Sequence, residues 1–388
     1  MRFPEFSGEW EETTLGKISE ITKGSGISKD QLSEQGSPCI LYGELYTKYK
    51  SEVIGVVYSR TELESSSLVK SKANDVIIPC SGETAIDIST ARCVPFNNIL
   101  LGGDLNIIRL KHDDGGFFAY QLNGARKKDI ARVAQGVSVV HLYGENLKHI
   151  RVYHPAIEEQ KKITRLLSLI DERIATQNKI IEKLESLIKG LSQRLLSPKQ
   201  GWTSYKLDEL CQIKSGYSGI QVSFQTAYKV SRIETISNHC INMSRIGFVK
   251  EIPQEYKLRV GDILFSNINS VQYIGNTAFI DKDYGLYHGM NLLRIVPDSR
   301  IVFPRFIHLL LCSERLLRHF QSICNKAVSQ ASINQTSLGK TIMTIPSYKE
   351  QQHICSIIES VERKLDIETS LLKMLQYQKQ YLLRQMFI

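Results

Sequence analysis

One stretch, 155–196, limits what this chain can fold into, because it is written twice. Ile163, Leu167, Ile170, Ile174, Ile181, Leu184, Ile188, Leu191 and Leu195 follow one another at spacings of three and four, interrupted only by Gln177. That is the a/d seam of a coiled coil. Shifted by 191 positions, the seam returns as Ile354, Ile358, Val361, Leu365, Leu372, Leu375, Leu382 and Met386. Glu368 then stands for Gln177 and Lys379 for Ile188, and the entrance Pro155 with Glu159-Gln160 becomes Pro346 with Glu350-Gln351. Each helix would run roughly 40 residues, or ~60 Å. A lone apolar stripe of that length has to find another helix, and the nearest partner is its own copy. Duplication suggests an approximate two-fold axis. The expectation is therefore an antiparallel pair, with Gln177 and Glu368 as a polar layer that fixes register, and a globular unit at each end of the rod.

The remainder repeats too. Gly8-Glu9-Trp10, Leu15, Ile18, Ile21 and Gly24-Ser25-Gly26 match Gly201-Trp202, Leu207, Leu210, Ile213 and Gly216-Tyr217-Ser218-Gly219, which uses both tryptophans of the protein. Each set reads as a helical turn, a strand and a glycine turn. Segments 74–78 and 261–265 read as buried strands, as do 103–109 and 288–294. Helices follow over 117–122 and 304–320, and a strand at 150–152 or 341–345 leads into each long helix. The fold class expected is α+β. The domains are 1–153, a long helix over 154–197, a second domain at 198–345 and a second long helix over 346–388. Ser197-Pro198-Lys199-Gln200-Gly201 breaks the copies apart.

A length of 388 residues accommodates two such units. No apolar run reaches the ~18 residues of a membrane span, and the first residues hold no hydrophobic leader, so a cytoplasmic protein is expected. Eight scattered cysteines without a CxxC pair suggest reduced thiols rather than disulfides or zinc ligands. An excess of 49 basic over 40 acidic residues suits nucleic acid.

Catalytic motifs are missing from the sequence. Gly339-Lys340-Thr341 lacks the upstream glycine of a P-loop, position 334 being Asn; Gly24-Ser25-Gly26 meets Lys29 where a dinucleotide fingerprint needs glycine. There is no HExxH, no GxSxG and no Asn/Asp-Pro-Pro-aromatic loop of amino-methyltransferases. What recurs is Trp, Gly, Asn and aliphatic residues. The expectation is a binding protein with no catalytic residues, no metal ligands and no cofactor of its own.

The segments that differ between copies are polar loops. Asn and Gln suit adenine edges, Arg and Lys suit guanine and phosphate, and Ser and Thr serve either. Candidate DNA contacts in the first unit are Lys23, Ser25, Lys29, Tyr42, Tyr46, Lys48, Ser81, Thr84, Gln135 and Ser138. In the second they are Lys214, Tyr217, Arg232, Asn267, Asn269, Gln272, Lys326, Ser329, Gln330 and Asn334.

With Arg2-Phe3-Pro4-Glu5-Phe6, Gly8-Glu9-Trp10, Pro155 to Gln160 with Ile163, Ile345-Pro346-Ser347 to Gln351 with Ile354, and Leu382 to Ile388, the chain resembles the specificity (S) subunit of type I restriction-modification systems. The resemblance spans essentially the whole chain. It implies two target-recognition domains, each reading half of a split double-stranded DNA sequence. It also implies a helix pair that sets their spacing and docks two modification subunits. Those partners would carry S-adenosylmethionine and methylate adenine N6, and a restriction subunit with ATP and magnesium would join the larger complex. A coiled-coil adaptor without sequence-specific DNA binding is the alternative that composition and pattern leave open.

Overall fold

The computed structural model describes residues 2–64, 66–237, 239–326 and 330–387. Two 39-residue helices, Ile157–Leu195 and Tyr348–Met386, carry the repeated seam. The chain divides into two compact units, one of 1–180 with 368–388 and one of 181–367, so the division falls inside both helices. Each unit therefore holds the first part of one long helix and the last part of the other.

In the first unit, Glu11–Thr14 pairs antiparallel with Arg151–His154, the strand that leads into the long helix. Leu15–Ile18 forms the expected helical turn and runs into Ser19–Lys23. That strand opens an antiparallel sheet ordered Ser19–Lys23, Leu105–Leu110, Asp75–Pro79, Arg92–Val94. The second unit repeats the plan. Thr203–Lys206 pairs with Ile342–Ile345, and its sheet runs Cys211–Ser215, Leu293–Pro297, Ile263–Phe265, Thr277–Phe279. The class is α+β in both units.

The core behind each sheet is built around the same aromatic contact. Trp10 lies 5.5 Å from Phe117, and Trp202 lies 6.2 Å from Phe306. Ile163, Leu167, Ile170, Leu382 and Met386 join the first core, while Leu196, Ile354 and Ile358 join the second. The helix entrances are fixed alike. Gln160 accepts from the Asp114 amide at 2.9 Å and donates to the Pro155 carbonyl at 2.9 Å. Gln351 accepts from the Phe303 amide at 2.8 Å and donates to the Pro346 carbonyl at 3.0 Å. One side chain thus satisfies the orphan amide at a neighbouring helix start and locks the long helix to its domain.

Every seam residue named from sequence is buried or half-buried: Ile163, Leu167, Ile170, Ile181, Leu184, Leu191, Ile354, Ile358, Val361, Leu372, Leu375 and Leu382. Within the first unit, Gln177 donates to the Glu368 carboxylate at 2.6 Å and to its carbonyl at 3.0 Å. Lys379 lies beside Asp171 in the same unit, so these helix segments run antiparallel.

Two sequence expectations need correction. Setting 103–109 end to end against 288–294 as copies places the two strands two residues out of register. Ile108 faces Ile21, and Ile295 faces Ile213, so Ile108 and Ile295 are equivalent. A slip of two keeps every side chain on its face, and alternation alone does not register it. The helix expected over 304–320 is two helices, Pro304–Leu311 and Glu314–Ile323, because Ser313 caps the second by accepting from the Leu316 amide.

The glycine turns repeat for a steric reason. A Cβ on Gly24 would lie 2.0 Å from the Gly102 carbonyl oxygen, and one on Gly216 would lie 1.9 Å from that of Gly289. Neither neighbour is a side chain that can swing away. Gly24→Ala and Gly216→Ala are each expected to destabilise by about 1–3 kcal/mol, measured by urea unfolding, whereas Gly26→Ala, with open space around it, should fall within about 0.5 kcal/mol.

Candidate nucleic-acid interface

Loops far apart in sequence are drawn together in the same way in both units. In the first, Ser81–Gly82 pairs with Val140–His141. The second strand belongs to a hairpin closed by reciprocal backbone bonds of 2.8 and 2.7 Å between Gln135 and His141. Ser81, Thr84, Gln135 and Ser138 therefore share one cluster. In the second, Ile268–Asn269 pairs with Ala331–Ser332, which also pairs with Asn325–Lys326. That gathers Asn267, Asn269, Gln272, Lys326, Gln330 and Asn334. Ser329 lies outside the described residues.

The glycine turns place Lys23 and Ser25 beside 101–105, where Gly24 donates to Leu105 and Ser25 to Leu101, both at 3.0 Å. In the second unit Tyr217 donates to the His288 carbonyl at 3.0 Å. Lys23 lines a cleft of about 260 Å³ with Ile21, Thr22, Asn106, Tyr143, Gly144 and Glu145. Asn106 is fully buried there; its amide donates to the Leu142 carbonyl at 2.9 Å, and its Oδ1 has no protein partner.

The candidates divide by what already holds them. Lys23, Lys29, Gln135, Ser138, Lys214, Gln272, Lys326 and Gln330 are exposed. Arg232 is exposed beside Glu234 at 3.4 Å. Thr84 and Asn334 are exposed but cap short helices, accepting from Asp87 at 3.1 Å and Ser337 at 2.7 Å. Lys48 is tied to Glu44 at 2.6 Å and to Ser59 at 2.9 Å. Ser25 accepts from the Val69 amide at 2.8 Å. Asn269 is held by Ser266 and Ser270, and Asn267 donates to Ile333 at 3.3 Å with its Oδ1 unpartnered. Tyr42 packs on the Ile40–Leu45 core, Tyr217 lies 5.3 Å from Tyr256, Tyr46 is half-buried and Ser81 is buried. These held groups shape the loops; the exposed ones are available to a ligand.

Apolar tips stand among these polar loops. Val137 is 97% exposed at the end of the clamped hairpin, and Ile220 is 89% exposed in the second unit. Apolar side chains contact thymine methyl groups, so a Val or Ile within a polar loop was the available signal.

Among the described residues, no group of three or more His, Cys, Asp or Glu is arranged to hold a metal. The second unit holds a buried hydrogen-bond relay of His and Cys. Arg305, a donor only, gives to His308 Nδ1 at 2.8 Å, and that ring's Nε2 lies 3.5 Å from Cys312 Sγ. Cys312 lies 3.3 Å from His239 Nδ1. Burial holds both imidazoles below their ordinary pKa and pushes the thiol up to about 12. Burial favours the neutral forms of the two imidazoles and the thiol, and the Arg305 guanidinium beside them opposes any cation there.

A family model described as the type I restriction modification DNA specificity domain matches the chain twice, over residues 7–186 and 199–377. The putative type I restriction enzyme MjaX specificity subunit of Methanocaldococcus jannaschii is 32% identical over 194 residues, 48% of this chain and 46% of that protein. The chain thus spans about half the length of that relative. The MjaVIII specificity subunit of the same organism is 22% identical over 95% of this chain and 89% of that protein. The crystal structure of the S subunit of a type I restriction-modification system from M. genitalium aligns with a TM-score of 0.65 at 17% identity, covering 100% of this chain and 99% of that one. A chain from a solved structure on complex assembly and conformational transition of the type I R-M system aligns with a TM-score of 0.58 at 15% identity, over 98% of this chain and 97% of that one. These two likenesses concern the fold.

Proposed function

The chain belongs to the type I restriction modification DNA specificity family, and from that premise we propose that each unit reads one half of a bipartite double-stranded DNA target. The observation that carries this is the repeated convergence of loops: 81–84 with 135–141, and 266–273 with 325–326 and 330–335, on matching strand pairs. Two units of one plan with different side chains at those loops suit two different half-sites separated by bases that need no contact. The exposed Lys and Arg supply phosphate contacts, and binding should weaken steeply with salt.

The long helices act as spacer and as dock for two modification subunits. Supporting this, Met374, Tyr377 and Tyr381 make an exposed large apolar stripe on the second long helix, opposite its buried seam, and such patches mark protein contacts. S-adenosylmethionine, ATP and magnesium act on the partner subunits, and methylation of a base flipped from the duplex takes place in the partner's pocket. This chain contributes sequence choice without catalysis, and its place of action is the cytoplasm.

The test exchanges residues 1–153 for the matching domain of another such chain, and maps methylated sites in cells carrying the complete system. One half-site should change and the other persist. Both persisting unchanged would remove recognition from this unit.

A further inference from the structure

The two units are near copies, yet the charges where each recognition domain meets the helix pair are of opposite sense. In the first unit the helices present Lys379, whose Nζ lies 2.6 Å from Glu52 of the domain and 2.6 Å from Asp171 of the other helix. Tyr120 donates to Asp171 at 2.7 Å, and the lysine stands 5.7 Å from that ring. Arg92, buried nearby, gives its protons to the Leu45, Tyr49 and Ala91 carbonyls. In the second unit the helices present carboxylates: Arg305 of the domain meets Glu362 at 2.6 Å and Glu359 at 3.8 Å.

The 191-residue shift sets Lys379 against Ile188, Asp171 against Glu362 and Thr164 against Cys355. The shared cap bonds of Asp114 and Phe303 set Gly116 against Arg305 and Tyr120 against Leu309. Gly116 has no space for a side chain, since a Cβ there would lie 2.4 Å from Thr164 Cγ2. A domain carrying Arg305 at this position would press on Thr164, and would find Asp171, the counterpart of Glu362, already paired with Lys379. A domain carrying Glu52 on the second surface would face Ile188 in place of Lys379 and Glu362 in place of Asp171, so the buried carboxylate would lose its bonded lysine and stay beside a like charge.

We infer that these contacts form an address code, in which the helix surface of the first unit accepts only a recognition domain that brings a carboxylate at the Glu52 position and a glycine at the Gly116 position. Mismatch is rejected by unpaired charge as much as the native match is favoured. The code concerns docking within the chain, and it stands whether or not DNA is the ligand.

The test uses the full chain with its recognition segments exchanged, 198–345 ahead of the first long helix and 1–153 ahead of the second. It is made plain and with I188K and K379I, which move the lysine along with the Glu52-bearing domain. The relocated lysine should raise Tm by about 5 °C or more over the plain exchange; equal or lower melting overturns the code. The native-order chain provides a second arm. There K379I should lower Tm by about 5–10 °C, and adding E52L and D171L should recover at least half of that. Failure to recover would make the loss one of packing, and that too overturns the code.

Discussion

Lys379→Met should cost the first unit about 3–5 kcal/mol at pH 7 and distinctly less at pH 5. The lysine is bonded to two buried carboxylates, Glu52 and Asp171. Burial raises the Glu52 pKa, but the charge and hydrogen bond of Lys379, with help from Arg92, outweigh it and hold Glu52 below its ordinary value. Asp171 is driven the other way, up to about 6, by burial and by the charge of Glu52, with Lys379 only partly opposing. Without the lysine both folded-state pKa values move up, above those of the unfolded chain. A carboxyl raised on folding is destabilising where it must ionise, fully so above its folded pKa, and the penalty fades towards its unfolded pKa near 4. The loss in the variant should therefore be greatest at pH 7–8 and shrink on acidification to pH 5, as both groups take up protons. Denaturant unfolding of wild type and variant across that range measures it. A difference that does not change with pH would mean that the methionine packs badly rather than that charge is left unpaired.

Sequence alone registered Lys379 as a defect in the seam, the place where the copy has Ile188. Nothing local shows that the defect is filled, because Glu52 lies 327 residues away in a loop with no periodic signal. The contrast with Gln177 is instructive. Its partner Glu368 is its own copy, so the shift that revealed the repeat also revealed the contact. The long helices were legible because an apolar period of three and four holds over ten positions. The central strands were legible for a related reason, runs such as Val76-Ile77-Ile78 and Ile263-Leu264-Phe265 between turn residues. The second sheet of each unit was not. Its strands are two to four residues long, for example Leu32–Ser33 with Ser59–Thr61, and Gln221–Val222 with Gly247–Val249. Such short strands are set by tertiary pairing rather than by pattern.

The loops were legible as groups and poorly as individuals. Lys48 and Lys23 look alike in sequence, yet one is bound to Glu44 and Ser59 while the other stands free on a cleft rim. The repeated aspartates, Asp75 and Asp262, carry no sign in sequence of the ion pairs they make. Asp75 meets Arg109 at 2.8 Å and Asp262 meets Arg294 at 2.6 Å. Each aspartate also closes its own turn, accepting from Lys72 at 2.7 Å or Arg259 at 2.6 Å. The two arginines occupy strand positions two residues apart, and so the out-of-register match paired them by coincidence of type.

The other large effect concerns the seam itself. Leu375→Asp should destabilise the first unit by about 3–5 kcal/mol, the penalty for a buried charge without a partner, while its neighbour Met374→Asp should change stability by no more than about 0.5 kcal/mol. The two positions are adjacent in sequence and have the same helical backbone, but Leu375 is 7% exposed and Met374 is 60% exposed. Helix propensity therefore cancels between the variants, and what remains is the facing helix. Leu184, the equivalent of Leu375 in the other copy, is 9% exposed, and Leu184→Asp should behave alike in the second unit. Assembly separates the two faces in the opposite sense. Met374→Asp places a charge in the exposed apolar stripe with Tyr377 and Tyr381, and under the proposed docking role it should weaken retention of modification subunits at unchanged Tm. Denaturant unfolding and co-purification of the complex, read on the same pair of variants, distinguish the seam from the dock. A Leu375→Asp chain that melts like wild type would show that the two helices do not depend on each other.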